Sequence, residues 1–346
     1  MFDAPVKTAV VGYGFSAKTF HLPFIQALPA LELTAISSSQ QAAVQTDFPG
    51  ITCYGDADTM LVESDAELVI ITAPNDVHFR LAKLALENGK HVIIEKPFVT
   101  KVEDGETLIR LAEEKGLVLS VFHNRRWDGD FLTVKKLIDE GKLGEVKYFE
   151  SHFDRFRPVV RQRWREQAQD GGGILFDLAP HLLDQALALF GAPQALTAQC
   201  EIMRPGATTI DYFNLVLHYP EHFVHLHANL YSPEPNLRYK VLGTHGKYEK
   251  YGLDPQEEYL KAGVKPELPA WAEEPSSHYG QFHQETGSQV IPTELGGYQH
   301  FFAGVANAIR LGAANPVPAE EALLNIRLIQ LALESSKLGQ TMKVDA

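Results

Sequence analysis

An apolar run, Val6–Val11, leads straight into Gly12-Tyr13-Gly14-Phe15-Ser16-Ala17. The run has the composition of a strand buried on both faces, and the segment beyond it can open a helix. That junction constrains the fold more than any other stretch of the chain. Gly12 permits a tight turn, Gly14 lets a ligand approach the backbone, and Ala17 allows helix and strand to pack closely. Alone, a Gly-x-Gly-x-x-Ala string also reads as an ordinary turn between strand and helix. Placed at the head of a β-α alternation, it reads as a dinucleotide pyrophosphate loop that includes Tyr13, Phe15 and Ser16.

The alternation is present. Short β-rich runs at Val6–Val11, Leu31–Ser37, Leu68–Thr72, His91–Ile94 and Val118–Phe122 are separated by helical ones. Val77–Asn88 is followed by Gly89 and Val102–Lys115 by Gly116, each a good helix stop. The pattern predicts a doubly wound parallel sheet, a Rossmann-type domain over 1–122. Ligands bind at the carboxyl edge of such a sheet. Glu95-Lys96-Pro97, directly after His91–Ile94, falls on that edge. Lys96 could be a solvated strand terminus; beside a dinucleotide loop it is a cation near the nicotinamide. The Lys96–Pro97 bond is expected to be cis, a geometry that only an X–Pro bond makes cheap.

Cofactor choice turns on the end of the second strand, Ser37-Ser38-Ser39. An NAD site usually has an acid here for the ribose hydroxyls. Serines can donate to a 2′-phosphate, which a carboxylate would repel. NADP(H) is favoured and NAD(H) is the alternative. Gln40 and Gln41 stand where an arginine for that phosphate could sit, and a serine-rich loop without a role is the bland reading.

Beyond Asn124 the texture changes. A helix over Phe131–Glu140 precedes alternating runs at Val146–Phe156, Ala195–Met203, Tyr212–Tyr219, Phe223–Leu230 and Tyr239–Gly243. Successive strands with turns between them predict a mainly antiparallel open sheet in a C-terminal α/β domain over 123–346. Helices are expected at Ala179–Phe190, Tyr298–Leu311 and Ala319–Lys337, with an irregular excursion from Pro255 to Pro292. A sheet covered on one face leaves another for a partner. The alternating apolar residues of Tyr212–Tyr219 and Phe223–Leu230 suggest a homodimer, or a tetramer of dimers.

Gly171-Gly172-Gly173 precedes Asp177 and His181. The glycines would let backbone approach a ligand, and Pro180 suits a first helical turn. Asp177 and His181, four apart, share one side of a helix. A carboxylate beside an imidazole orients it, which suits a group that takes a hydroxyl proton as hydride leaves carbon. Alone, Asp177 reads as a helix cap and His181 as a packed histidine. His225 and His227 face one side of a strand, but no third ligand is evident, so no metal is expected.

Together, Gly12/Gly14/Ala17, Glu95-Lys96-Pro97 and the Gly-Gly-Gly…Asp177…His181 segment resemble the Gfo/Idh/MocA oxidoreductase family over essentially the whole chain. Phe122-His123-Asn124-Arg125-Arg126-Trp127-Asp128 and Phe153-Asp154-Arg155-Phe156-Arg157-Pro158 resemble its NADP-dependent scyllo-inositol dehydrogenase subgroup. Ala179, where the family often has glycine, and the serine tip depart from the common pattern. The resemblance implies that Lys96 bonds the reacting oxygen, Asp177 orients the base and His181 exchanges the proton. It also implies cofactor contacts from Thr72, Pro74, Asn75, His78, Asn124, Trp164 and Arg165. Arg126, Trp127, Arg155 and Phe156 would lie near a polyol or sugar substrate. Arginines and aromatics between domains can equally serve packing alone.

A net charge of −13 argues against nucleic acid as a partner. Two cysteines, Cys53 and Cys200, form no metal motif and suggest free thiols in a reducing compartment. The N-terminus shows no signal-peptide pattern, and no apolar run is read as a membrane span, so a cytoplasmic location is expected. Two other functions compete with a dehydrogenase: a cofactor-assisted glycosidase of the same family, and a non-catalytic cofactor or sugar sensor. The lack of an export signal and of a ribose-binding acid leans against the first. Retention of Lys96, Asp177 and His181 leans against the second.

Overall fold

The computed structural model describes residues 4–161, 166, 171–267 and 270–344. The chain divides into two compact units that are not continuous in sequence. The first holds residues up to 124 together with 256–271 and 297–323, and the second holds 125–255, 272–296 and the residues from 324 onward.

In the first unit the continuous apolar runs become six parallel strands: β1 (Val6–Val11), β2 (Leu31–Ser37), β3 (Thr52–Tyr54), β4 (Leu68–Ile71), β5 (His91–Ile94) and β6 (Leu119–Val121). Their order is β3-β2-β1-β4-β5-β6, so the chain winds outward in both directions from β1 and β4. The crevice at that switch point is where such folds bind ligands. Every residue of β4 is buried, as expected for a strand covered on both faces. A π-helical turn, Ala17–His21, leads into α1 (Leu22–Ala27); α2 (Gln41–Asp47), α3 (Ala57–Glu63), α4 (His78–Glu87) and α5 (Val102–Lys115) follow. Gly116 stops α5 in the left-handed conformation. The sequence reading lacks β3, because three partly exposed residues show no period.

The second unit carries a nine-stranded sheet. Its strands are β7 (Val146–His152), β8 (Ala195–Glu201), β9 (Tyr212–His218), β10 (Phe223–Asn229), β11 (Leu237–Gly243), β12 (Gly246–Tyr251), β13 (Gly280–Gln284), β14 (Gly287–Ile291) and β15 (Met342–Lys343). The order is β14-β13-β12-β11-β7-β10-β9-β8-β15. Neighbours run antiparallel except β7 and β10, which are parallel. The excursion expected to be irregular contains α8 (Gln256–Lys261) and the β13–β14 hairpin. Four of the five residues of β14 are exposed, so no buried alternation marks it in the sequence. Alternate residues of β9 and β10, among them Phe213, Leu215, Leu217, Val224 and Leu226, sit in the core with α6 (Gly129–Asp139), α7 (Gly173–Phe190) and much of α10 (Ala319–Leu338). The preceding helix, α9 (Gln299–Leu311), belongs to the first unit, where Phe302 stacks on Phe24.

Helix α7 corrects three expectations. It begins at Gly173, not near Ala179, and Pro180 lies inside it rather than in its first turn. Asp177 is therefore not a cap. The proline and the glycine run together mimic a helix start. Gly173 does not open the backbone to a ligand: it has φ +83°, and an added Cβ would lie 2.8 Å from the Ile210 carbonyl oxygen. The backbone N–H of Ile174 donates to that carbonyl at 2.9 Å. By length and composition α7 could also cross a membrane, but 67% of it is buried inside the protein, as in a core helix.

Candidate active site

The first unit assembles its candidate residues at the carboxyl ends of parallel strands. After β1, Gly12 has φ +97°, and an added Cβ would lie 2.7 Å from the Thr72 hydroxyl. Its N–H donates to the Ser37 carbonyl at 2.9 Å, while Thr72 Oγ1 donates to the Val11 carbonyl at 2.7 Å. The three strand ends β1, β2 and β4 are thereby tied together. At Gly14 an added Cβ would meet nothing within 4 Å. That open approach to the backbone, at the head of a helix, fits a bound pyrophosphate.

The other loop residues divide by what they touch. Phe15 is exposed and meets Phe20 edge-on. The Tyr13 side chain turns away from the loop: its hydroxyl donates to Asp47 and Lys18 stands 4.0 Å over its ring. Ser16 donates to the Glu95 carboxylate, which also bonds His21 Nε2 at 2.8 Å and accepts from the Lys96 backbone N–H at 3.2 Å. The π-helical turn brings the fully buried His21 onto Glu95 and packs its ring 4.3 Å from that of Phe122. Burial alone would raise the Glu95 pKa, but His21, Ser16 and the Lys96 charge hold it down at about 2. No sequence spacing announces His21. A rare π turn just after a glycine loop is the local signal, visible only in the fold.

Lys96 is half-buried at the end of β5, and the Lys96–Pro97 bond is cis, as expected. His78 lies behind the same strand ends. Buried, it sets one ring nitrogen 3.0 Å from the Pro97 carbonyl and the other 2.9 Å from the Ala73 carbonyl, so it packs between the loops after β4 and β5. Burial pushes its imidazole below the ordinary value. Pro74 and Asn75 open a single turn before α4, and Asn124 is buried beyond β6. At the end of β2, the Ser37 side chain is only 4% exposed. Ser38 accepts from the Gln40 N–H at 2.9 Å, and Ser39 is exposed. The serine tip therefore offers Ser38 and Ser39, with Ser37 beneath them.

In the second unit, Asp177 and His181 are one turn apart on α7. Arg155 Nη1 lies 3.6 Å from Asp177 Oδ2. The His181 ring, 8% exposed, lies near-parallel to Phe153 with centroids 6.3 Å apart. Three guanidinium groups surround that same phenyl ring: Arg125 at 4.8 Å, Arg155 at 5.0 Å and Arg238 at 5.6 Å. Buried carboxylates balance two of them. Asp128 lies 3.2 Å from Arg125, and Asp130 lies 3.2 Å from Arg238. Arg126, expected near substrate, forks onto Asp184 with bonds of 2.9 and 2.7 Å. Trp127 is half-buried, and Phe156 is exposed with a bridge to Tyr231. Trp164 and Arg165 lie outside the described residues. Sequence reasoning missed Arg238, Asp130 and Asp184, which carry no motif and meet only through folding.

Comparison with known proteins extends over both units. Residues 6–123 match the NAD-binding Rossmann fold of the Gfo/Idh/MocA oxidoreductases, and residues 135–344 match the C-terminal alpha/beta domain of the same family. The chain is 46% identical to the oxidoreductase YdgJ of Escherichia coli, covering 97% of this chain and 98% of that one. It is 40% identical to the scyllo-inositol 2-dehydrogenase (NADP(+)) IolW of Bacillus subtilis, over 98% and 96% of the two chains. The solved structure of yvaA from Bacillus subtilis superposes with a TM-score of 0.95 at 39% identity, covering 99% of each chain.

Proposed function

Because the chain belongs to the Gfo/Idh/MocA oxidoreductase family, we propose that it transfers hydride between NADP(H) and a secondary alcohol or ketone of an inositol, polyol or sugar, with scyllo-inositol the leading candidate. One observation carries this reading: Lys96 stands at a strand end of the nucleotide-binding fold, and the chain also keeps Asp177 and His181 on one helix. A sensor needs no such proton-handling set. The likeness to IolW, a scyllo-inositol 2-dehydrogenase that uses NADP(+), supports the substrate class and the cofactor.

Gly12 and Gly14 would hold the pyrophosphate, and Ser38 and Ser39 the 2′-phosphate. Bound nicotinamide supplies a carbon that accepts or returns hydride. The Lys96 ammonium donates a hydrogen bond to the reacting oxygen and stabilises the charge that develops there. The His181 imidazole takes the hydroxyl proton. Asp177 orients the imidazole, and Arg155 gives that carboxylate a second anchor.

A screen of inositols and aldoses with NADP and NAD separately, followed by absorbance of the reduced cofactor, tests the reading. Turnover with an inositol and NADP is expected. Cofactor binding without turnover of any polyol or sugar would favour a sensor, and release of sugar from a glycoside would favour the glycosidase.

Self-association through the nine-stranded sheet belongs to the same proposal. The apolar alternation in β9 and β10 fills the core. The opposite face instead holds half-buried Tyr148, Tyr212, His218 and His225. Light scattering at micromolar concentration is expected to give a dimeric or tetrameric mass; a monomeric mass would remove this part.

A further inference from the structure

The sheet face proposed above for self-association also brings together a group of titratable side chains from β7 and β10. Strands β7 and β10 are parallel neighbours, with His152 opposite His227. Residues two apart on a strand share a face, so Glu150, His152 and, just past the strand end, Asp154 line one row. His225 and His227 line the next. The row continues past β7 because the Phe153 N–H donates to the His227 carbonyl at 2.9 Å, and that of Arg155 to Asn229 at 3.0 Å.

His152 Nδ1 lies 3.0 Å from Asp154 Oδ2, and His227 Nδ1 lies 2.9 Å from Asp154 Oδ1. The three donor atoms lie within 4.8 Å of one another. The two imidazole rings are 4.8 Å apart, and their side chains are 17% and 18% exposed. The sequence showed a His225/His227 pair without a third ligand. The fold replaces it: His225 packs against Tyr148 at 4.9 Å, while His227 meets two groups from the neighbouring strand.

A second observation gives the trio direction. His152 Nε2 faces Glu150 Oε1 at 2.7 Å, and the Tyr148 hydroxyl donates to the other Glu150 oxygen at 3.0 Å. Each ring nitrogen of His152 thus faces a carboxylate oxygen. Carboxylates on both sides of the ring favour positive charge at this point, carried by a proton or by a bound metal ion. A carboxylate behind a histidine is also the usual outer support of a metal-ligating imidazole, because it fixes the tautomer and raises ligand basicity. Asp154 is supported in turn by the Asn229 backbone N–H at 3.1 Å and its side-chain amide at 2.9 Å.

We propose that His152, Asp154 and His227 form a binding site for a divalent transition metal of the zinc class, with Glu150 as the outer support of His152. Two imidazoles and one carboxylate suit zinc, which binds such ligands at about 2.0–2.2 Å in a tetrahedron. Tetrahedral ligand atoms then stand about 3.3 Å apart; the two short separations, which run to the two oxygens of Asp154, open by a few tenths of an ångström, and the widest separation, within 4.8 Å, closes around the ion. The fourth position goes to water.

The test uses the full-length protein, stripped with a chelator and returned to chelator-free buffer. Zinc is then added, with stoichiometry read by elemental analysis after gel filtration and affinity by competition with a chromophoric chelator. About one zinc per chain is expected, with a rise in Tm. His152→Ala and His227→Ala should each weaken binding by at least about 100-fold, and Glu150→Gln by about 10–100-fold. His225→Ala, on the same strand face, should leave zinc binding unchanged and so separates the site from casual binding by surface histidines. His227→Gln repeats the test with a milder change should the alanine variant fold poorly. Absence of zinc binding at ~100 µM, or binding that survives both histidine changes, overturns the proposal. In that case a proton, not a metal, bridges these groups around Asp154.

Discussion

The two sheets present chemistry in opposite ways. In the parallel sheet of the first unit, all of β4 and most of β1 and β5 are buried, so functional groups can come only from strand ends. Gly12, Thr72 and Lys96 are all such residues. In the nine-stranded sheet, alternate residues of β7, β9 and β10 leave the core, and the face itself carries groups. Glu150, His152 and His227 are the result. A covered sheet gathers its candidate groups in short contiguous motifs, whereas an open one assembles them across strands.

The largest expected effect asks whether each unit supplies an essential group. His181→Ala and Lys96→Ala should each lower turnover by about 10²–10⁴-fold while cofactor affinity changes much less. Asp177→Asn should cost less than His181→Ala, because it only orients the imidazole. Steady-state kinetics with the screened substrate, alongside cofactor titration by fluorescence, checks both. Near-normal turnover in either alanine variant would leave that unit without a reacting group and break the comparison.

Next in size is a stability effect confined to the second unit. Arg126 and Asp184 form a forked pair with side chains only 14% and 2% exposed. Removing one partner of a buried pair typically costs about 3–5 kcal/mol. Asp184→Ala should show a loss of that order in urea unfolding, whereas the exposed Arg80–Asp58 pair should show ~0–1 kcal/mol when broken by Asp58→Ala.

The first unit has its own buried anion, and pH reads it. Glu95 titrates at about 2 in the folded protein against an ordinary 4.5. Its contribution is complete above pH 4.5 and drains away as pH falls towards 2. The full span corresponds to roughly 3 kcal/mol. Stability measured from pH 6 down to about 2.5 should therefore fall more steeply in the wild type than in Glu95→Gln. Parallel slopes would mean that the Ser16–Glu95–His21 group does not bind the strand end to the glycine loop.

The smallest effect is on cofactor choice. Ser37 is buried and Ser38 stands at the tip, so Ser38→Asp is the informative change. It should move the NADP-to-NAD preference towards NAD by about tenfold, or ~1.4 kcal/mol. Equal use of both cofactors by the wild type would remove the serine argument.

Strands β1, β2 and β5 and helix α5 have the bounds the sequence indicates, because continuous apolar runs and terminal glycines are local signals. Helix α7 starts six residues earlier than its proline suggests, because its first turn is set by contact with Ile210 rather than by its own residues. The β13–β14 hairpin is exposed, so no buried period marks it.

The sequence by itself determined the nucleotide-binding architecture, the glycine loop, Lys96 and the Asp177/His181 pair. The architecture follows from a succession of local runs, and the others depend on residues within a few positions of one another, where spacing translates directly into geometry. Tertiary structure alone decided that His21 supports Glu95, that Tyr13 and His78 pack rather than face outward, that Arg126 belongs to Asp184, and that His227 meets His152 and Asp154 instead of acting with His225. Those contacts join residues tens of positions apart. They depend on strand order and register, which no local pattern encodes.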